Sequence, residues 1–258
     1  MKTNLILLAV ACLGLASCKK KDDAPVVPVA PVVTTADANG VIESWQFDGN
    51  LSATRRSTAT FTTANAPTAT ATDRKNAPNK ALLVPANASL TIDNLPLPQG
   101  DVSRTISCWV HFNADATNTR YFVSYGTPQN GKAFGLSFNA ATSSIPSDIG
   151  GYAWGGGSFD PRYPYTPSPS ANYCAWSHLA FVYDKATFTL KFYRDGTLRK
   201  EFSNDGINTV GTQLIIGAMV GGSSTGASFK LDDLTIYNRA LTAAEITTIS
   251  NDTDANCR

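Results

Sequence analysis

From residue 176 onward, apolar and polar positions fall into short alternating runs. In F-T-L-K-F, residues 188–192, Phe188, Leu190 and Phe192 alternate with Thr189 and Lys191, the period-two pattern of a strand with one buried face. Asp195-Gly196 follows, a dipeptide that supplies the positive φ angles of a tight hairpin turn. Leu198 and Phe202 then return on the partner strand. R-T-I-S-C-W-V-H-F (104–112), W-S-H-L-A-F-V-Y-D (176–184) and L-I-I-G-A (214–218) read as further strands. In the last run the apolar parity changes, from Phe229 and Leu231 to Leu234 and Ile236. A bulge, or a strand covered on both faces, is therefore expected across Asp232-Asp233. Thr242-Ala243-Ala244-Glu245 is a capping box, which starts a helix at Ala243.

This pattern extends over residues 40–250 and suits one all-β domain with a single short C-terminal helix. Residues 52–72 are rich in Ser, Thr and Ala and read as a loop with one short strand near Phe61. No internal repeat is visible. Residues 251–258 form a tail.

The chain opens differently. Met1–Ser17 carries Lys2, an apolar run from Leu5 to Leu15, and small residues before Cys18. That is a signal peptide, and its run is too short to span a bilayer comfortably. Leu15-Ala16-Ser17-Cys18 resembles a bacterial lipobox, which implies cleavage before Cys18 and acylation of that residue. Lys19-Lys20-Lys21-Asp22-Asp23 resembles the charged signal that sends lipoproteins to the outer face of some Gram-negative bacteria. The implied location is the outer membrane, exposed at the cell surface, with membrane contact through the lipid anchor only. Within residues 18–39, the stretch A-P-V-V-P-V-A-P-V-V-T-T-A (24–36) is too rich in Pro for a strand. It reads as an extended, semi-rigid tether.

Charge narrows the partners. Of 21 Lys and Arg residues, Lys2 leaves with the leader, and the remainder balance 20 Asp and Glu residues. A nearly neutral chain argues against nucleic acid, because phosphate binding needs a concentrated basic surface.

The order of motifs from Trp176 to Ile246 closely resembles the C-terminal half of laminin-G-like jelly-roll domains of the concanavalin A-like superfamily. Ile42–Gly49 resembles the opening strand of those domains, and Asp73-Arg74-Lys75-Asn76 with Lys80–Leu83 resembles the link into the second strand. Arg104–Phe112 resembles the Trp-bearing central strand. The resemblance implies a two-sheet antiparallel jelly-roll sandwich, a fold that mostly binds and only in some branches catalyses. It also implies one structural Ca²⁺. Asp232 stands where related glucanases carry a calcium-ligating Asp, and Asp48 is a second candidate ligand. Capping or bulging of the strand is the alternative role for Asp232. Pentraxins, relatives in the superfamily, bear a cysteine pair at places matched here by Cys108 and Cys174, so the resemblance implies a Cys108–Cys174 disulfide. Two buried free thiols are the alternative.

Catalytic signals are sparse. Jelly-roll glucanases place their carboxylates on one strand as E-x-D-x-x-E, whereas the three glutamates here, Glu43, Glu201 and Glu245, are scattered. Asp232 and Asp233 are neighbours on a strand and should point to opposite faces. No phosphate loop and no H-E-x-x-H motif occur. His111 and His178 sit in strands and read as core or strand-surface residues. No catalytic residue is assigned. The candidate ligand-binding residues are Tyr152, Trp154, Tyr163 and Tyr165, aromatics set among Gly, Pro and Ser in residues 150–173. Flat rings give contact area at small entropic cost. Tyr152 and Trp154 fit a core strand equally well, whereas the prolines around Tyr163 and Tyr165 place those two on the surface. The sequence thus points to a surface-anchored, non-catalytic module for carbohydrate or an extracellular protein. A structural accessory lipoprotein and an unrecognised glycan hydrolase are the alternatives.

Overall fold

The structure, a computed structural model, describes residues 37–52, 60–112, 119–129, 132–140, 147–153, 161–164, 176–203, 206–222, 226 and 228–252. In chain order its strands begin with β1 (Val41–Trp45), β2 (Thr60–Ala64), β3 (Thr68–Ala71), β4 (Ala81–Val84) and β5 (Ser89–Asp93). Next come β6 (Arg104–Phe112), β7 (Arg120–Gly126), β8 (Ala133–Asn139), β9 (Asp148–Tyr152) and β10 (Arg162–Pro164). Then follow β11 (Trp176–Asp184), β12 (Thr189–Arg194), β13 (Thr197–Ser203), β14 (Leu214–Ile216), β15 (Phe229–Tyr237) and the helix α1 (Ala243–Ser250).

These strands make two antiparallel sheets, consistent with a jelly-roll sandwich. The first runs β13-β12-β11-β6-β15-β4-β3, with β1 also paired to β15. The second runs β10-β9-β8-β7-β14-β5-β2. Alternation drives the layering. Ile106, Cys108, Val110 and Phe112 of β6 and Leu179, Phe181 and Tyr183 of β11 point into the main core. Phe134 from the second sheet stacks on Phe181 from the first, with ring centroids 4.1 Å apart. Fully burying a Phe or Leu of this kind stabilises the fold by about 2 kcal/mol. On the outer face of the first sheet, Ile246 of α1 and Leu241 just before the helix cover Ala180, Val182 and Tyr193. Among the described residues no helix is long and apolar enough to cross a membrane.

Local expectations are met where turn and cap chemistry act alone. Asp195 (φ 51°) and Gly196 (φ 73°) make the hairpin turn between β12 and β13. The Thr242 side chain accepts from the Glu245 N–H, and Glu245 accepts from the Thr242 N–H, closing the capping box. The parity change in β15 is a bulge: its register with β6 shifts between Asp232 and Thr235, and Asp233 has φ 45°.

Three readings change. Phe188 is not the first inward residue of β12; it ends a turn with φ 52°, is 40% exposed, and lies 3.9 Å from the Lys185 Nζ. Leu198 is also exposed, because β13 is the outermost strand and its register slips at Phe192/Tyr193. The Ser/Thr/Ala stretch holds β3 as well as β2, since Ala69 and Ala71 are small enough to tuck under the sheet while Thr68 and Thr70 face out.

One buried charge organises the end of the core. Arg104 is fully buried, and its guanidinium donates to the carbonyls of Val102 (2.9 Å), Pro98 (3.0 Å) and Gly100. It lies beside the rings of Phe134 and Tyr183. Carbonyl oxygens thereby satisfy an arginine whose burial would otherwise be costly.

Candidate functional site

The aromatic segment singled out in the sequence divides between two faces. Tyr152, at the end of β9, is buried on the outer face of the second sheet, packed with Ala133, Val220, Tyr121 and Met219. Its ring lies over Gly135, where a Cβ would meet ring atoms at 2.7 Å, and Tyr121 packs edge-on at 5.6 Å. Tyr152 therefore supports this face and does not present a free ring, the core-strand alternative. Tyr163 pairs with Ile149 across β9–β10, which puts it on the inner side, packed against the main core. The expectation that Tyr163 stands free on the surface is corrected: β10 is an edge strand, and an edge tolerates Pro164. Trp154 and Tyr165 lie outside the described residues.

Beside Tyr152 the same outer face carries a polar clamp that the sequence did not flag. Arg162 of β10 donates through Nε to Asp148 Oδ1 at 2.7 Å and through Nη1 to Ser137 Oγ at 2.7 Å. The clamp ties β10 to β9 and β8. Residues 154–160 connect β9 to β10, and residues 165–175 connect β10 to β11, so both aromatic-bearing connections start from this fixed edge.

The other expected site takes a different form. The positive φ at Asp233 turns both carboxylates of the Asp232-Asp233 pair to one side, contrary to the opposite-face expectation for strand neighbours. Both bind one guanidinium: Arg74 Nη1 lies 2.9 Å from Asp232 Oδ2 and 2.7 Å from Asp233 Oδ2. Arg74 Nη2 donates to Asp252 Oδ2 at 2.8 Å, and its Nε donates to the Asp252 carbonyl at 3.0 Å. Its face stacks on Trp109 at 4.9 Å. Burial, reinforced by the charge of Asp233, pushes the Asp232 carboxyl up to about 7 against the pull of Arg74. Burial raises Asp233 as well. Asp48 stands apart, exposed and paired with Lys80 Nζ at 3.1 Å. Among the described residues no group of three His, Cys, Asp or Glu is arranged to hold a metal ion. This donor set does not fit calcium, because a guanidinium already fills the space that the carboxylates enclose. The motif Asp73-Arg74-Lys75 was visible as a link between strands, but nothing in its spacing marks Arg74 as buried.

The family model Laminin_G_3, described as the concanavalin A-like lectin/glucanases superfamily, matches residues 85–247. The chain belongs to this superfamily. No curated protein sequence matches it. Among solved structures, the botulinum neurotoxin serotype D binding domain is similar with a TM-score of 0.62 and 12% identity, over 83% of this chain and 52% of that one. The receptor-binding domain of the mosaic serotype C/D neurotoxin gives 0.62 and 12%, over 82% and 51%. The botulinum neurotoxin type G receptor-binding domain gives 0.58 and 15%, over 82% and 51%. This concanavalin A-like chain spans about half the length of those structures, and at such identity the likeness is one of fold.

The superfamily includes glucanases, so the disposition of acids and nucleophiles bears on mechanism. Glu43 is buried in β1 and accepts from the Ser44 N–H at 3.1 Å. Glu245 serves the helix cap and binds Arg239 at 2.7 Å, and Glu201 lies on the exposed edge strand β13. His178 Nε2 lies 2.8 Å from Ser107 Oγ, but Asp195 accepts from the His178 backbone N–H rather than from its ring. Both residues are buried, and burial with the nearby Arg74 charge holds the imidazole down at about 4, hence neutral. His111 is half-buried, edge-on to Trp176, and burial with Lys230 holds it below its ordinary value. Gly222-Ser223-Ser224-Thr225-Gly226 has G-x-S-x-G spacing, yet it connects β14 to β15, whereas a nucleophile elbow joins a strand to a helix. Ser224 lies outside the described residues. Of the expected Cys108–Cys174 bridge, one member lies among the described residues. Cys108 is a free, fully buried thiol, with Leu179 opposite it on β11. Cys174 lies outside the described residues.

Proposed function

We propose that this chain is a non-catalytic binding module, anchored at the cell surface through Cys18, that takes a carbohydrate or an extracellular protein through the β9–β10 edge of its second sheet. The observation that carries this reading is the Arg162–Asp148–Ser137 clamp. It fixes a three-residue edge strand from which two connections rich in Gly, Pro and aromatic residues depart. Binding loops are commonly mounted in this way, with variable segments on a rigid scaffold. Superfamily membership supports the reading, as do the solved neighbours, which are named as binding and receptor-binding domains of neurotoxins. The chain's three glutamates, scattered as they are, do not supply the paired carboxylates that most glycosidases require.

The test uses soluble protein starting at residue 19, compared with a variant in which residues 154–160 and 165–175 are replaced by Gly-Ser linkers of equal length. Glycan-array binding or pull-down of an envelope protein should be present in the first and lost in the second. Equal capture by both moves the site elsewhere. Release of reducing ends from polysaccharides by the unmodified protein would show a hydrolase.

A further inference from the structure

Three carboxylates converge on the buried Arg74 from distant parts of the chain: Asp232 and Asp233 from the β15 bulge, and Asp252 from just beyond α1. Lys75 adds a second contact to Asp252 at 3.0 Å. The side chain of Arg74 is only 5% exposed and that of Asp232 only 4%. Asp73 accepts from the backbone N–H groups of Lys75 (2.9 Å) and Ala77 (2.8 Å), shaping the turn that delivers the guanidinium. The donors are oxygens of the kind calcium prefers. The space between them is already filled by a planar cation that uses Nε, Nη1 and Nη2 and is backed by the face of Trp109.

We propose that Arg74 is the resident cation of this site, fastening the β3–β4 link, the β15 bulge and the segment after α1 into one clasp, so that the domain keeps its structure without calcium. Removing one partner of such a set leaves buried charge uncompensated, which is more damaging than losing a surface pair. A calcium ion drawn to the same oxygens meets a like charge held against Trp109. It would have to expel a side chain whose three nitrogen positions are all bonded. Arginine suits this role better than lysine, because its fork reaches several carboxylates at once.

The clasp is tested on the full-length chain by thermal unfolding in millimolar calcium and in excess chelator, with calcium titration calorimetry alongside. The wild-type melting temperature should be the same in both solutions, with no saturable heat. Arg74→Met should melt roughly 10 °C lower. Asp252→Asn, which removes only the charge of the exposed arm, serves where Arg74→Met fails to fold. It should melt lower by a smaller amount, with proteolysis after α1 accelerated. A saturable calcium-dependent rise in the wild-type melting temperature overturns the proposal. So does an Asp252→Asn or Arg74→Met protein that melts and resists proteolysis like the wild type.

Discussion

Tyr163 and Arg199 meet at the open side of the sandwich, the guanidinium lying 5.5 Å above the phenol ring. One residue belongs to β10 and the other to β13, so this contact joins the outermost strands of the two sheets. Tyr163→Ala should therefore lower stability by about 1 to 3 kcal/mol, less than a fully buried aromatic truncation. Chemical denaturation measures it. A variant as stable as the wild type would return Tyr163 to the exposed surface.

Two buried groups give stability opposite slopes with pH. His178 has its folded value pushed down from 6.5 to about 4. Its contribution is complete above 6.5 and is lost as pH falls toward 4, a loss of up to about 3 kcal/mol. Asp232 has its value pushed up from 3.8 to about 7, so it favours folding below 3.8, and that contribution fades as pH rises through 7. Denaturation midpoints across this range should therefore respond in opposite senses to His178→Phe and Asp232→Asn. The first variant flattens the acid limb and the second flattens the neutral one. A His178→Phe profile parallel to the wild type would contradict the neutral buried imidazole.

Anchoring is tested at Cys18. Cys18→Ala should abolish acylation and move the protein from the membrane to the soluble fraction. One acyl chain binds only marginally, and stable anchoring needs more than one. Equal membrane retention of the variant would remove the lipid anchor from the reading. Protease shaving of intact cells tests exposure separately.

Turn and cap chemistry was readable because it is local. Asp195-Gly196 and Thr242–Glu245 carry their geometry within a few residues. The bulge in β15 was visible as a parity change, but its effect was not, since a positive φ at Asp233 has no sequence signature in an Asp-Asp pair. The Arg74 site escaped for a second reason: its contacts span 158 and 178 positions, beyond any periodicity. Tyr163 and Pro164 were rightly denied a core strand. The pattern could not distinguish a free loop from an edge strand whose ring turns inward. The cysteine pairing came from family resemblance alone, and the β6–β11 register places Leu179 opposite Cys108.

β15 pairs with β6 along one side and with β4 and then β1 along the other. A strand at the middle of the first sheet is thus the last of the described strands in chain order. Until β15 is in place, β1 lacks the strand it pairs with. The first sheet therefore closes long loops late in its assembly, which favours slow acquisition of structure. A chain truncated before Phe229 would leave β6 and β4 without their common seam, and it should fail to reach the folded state.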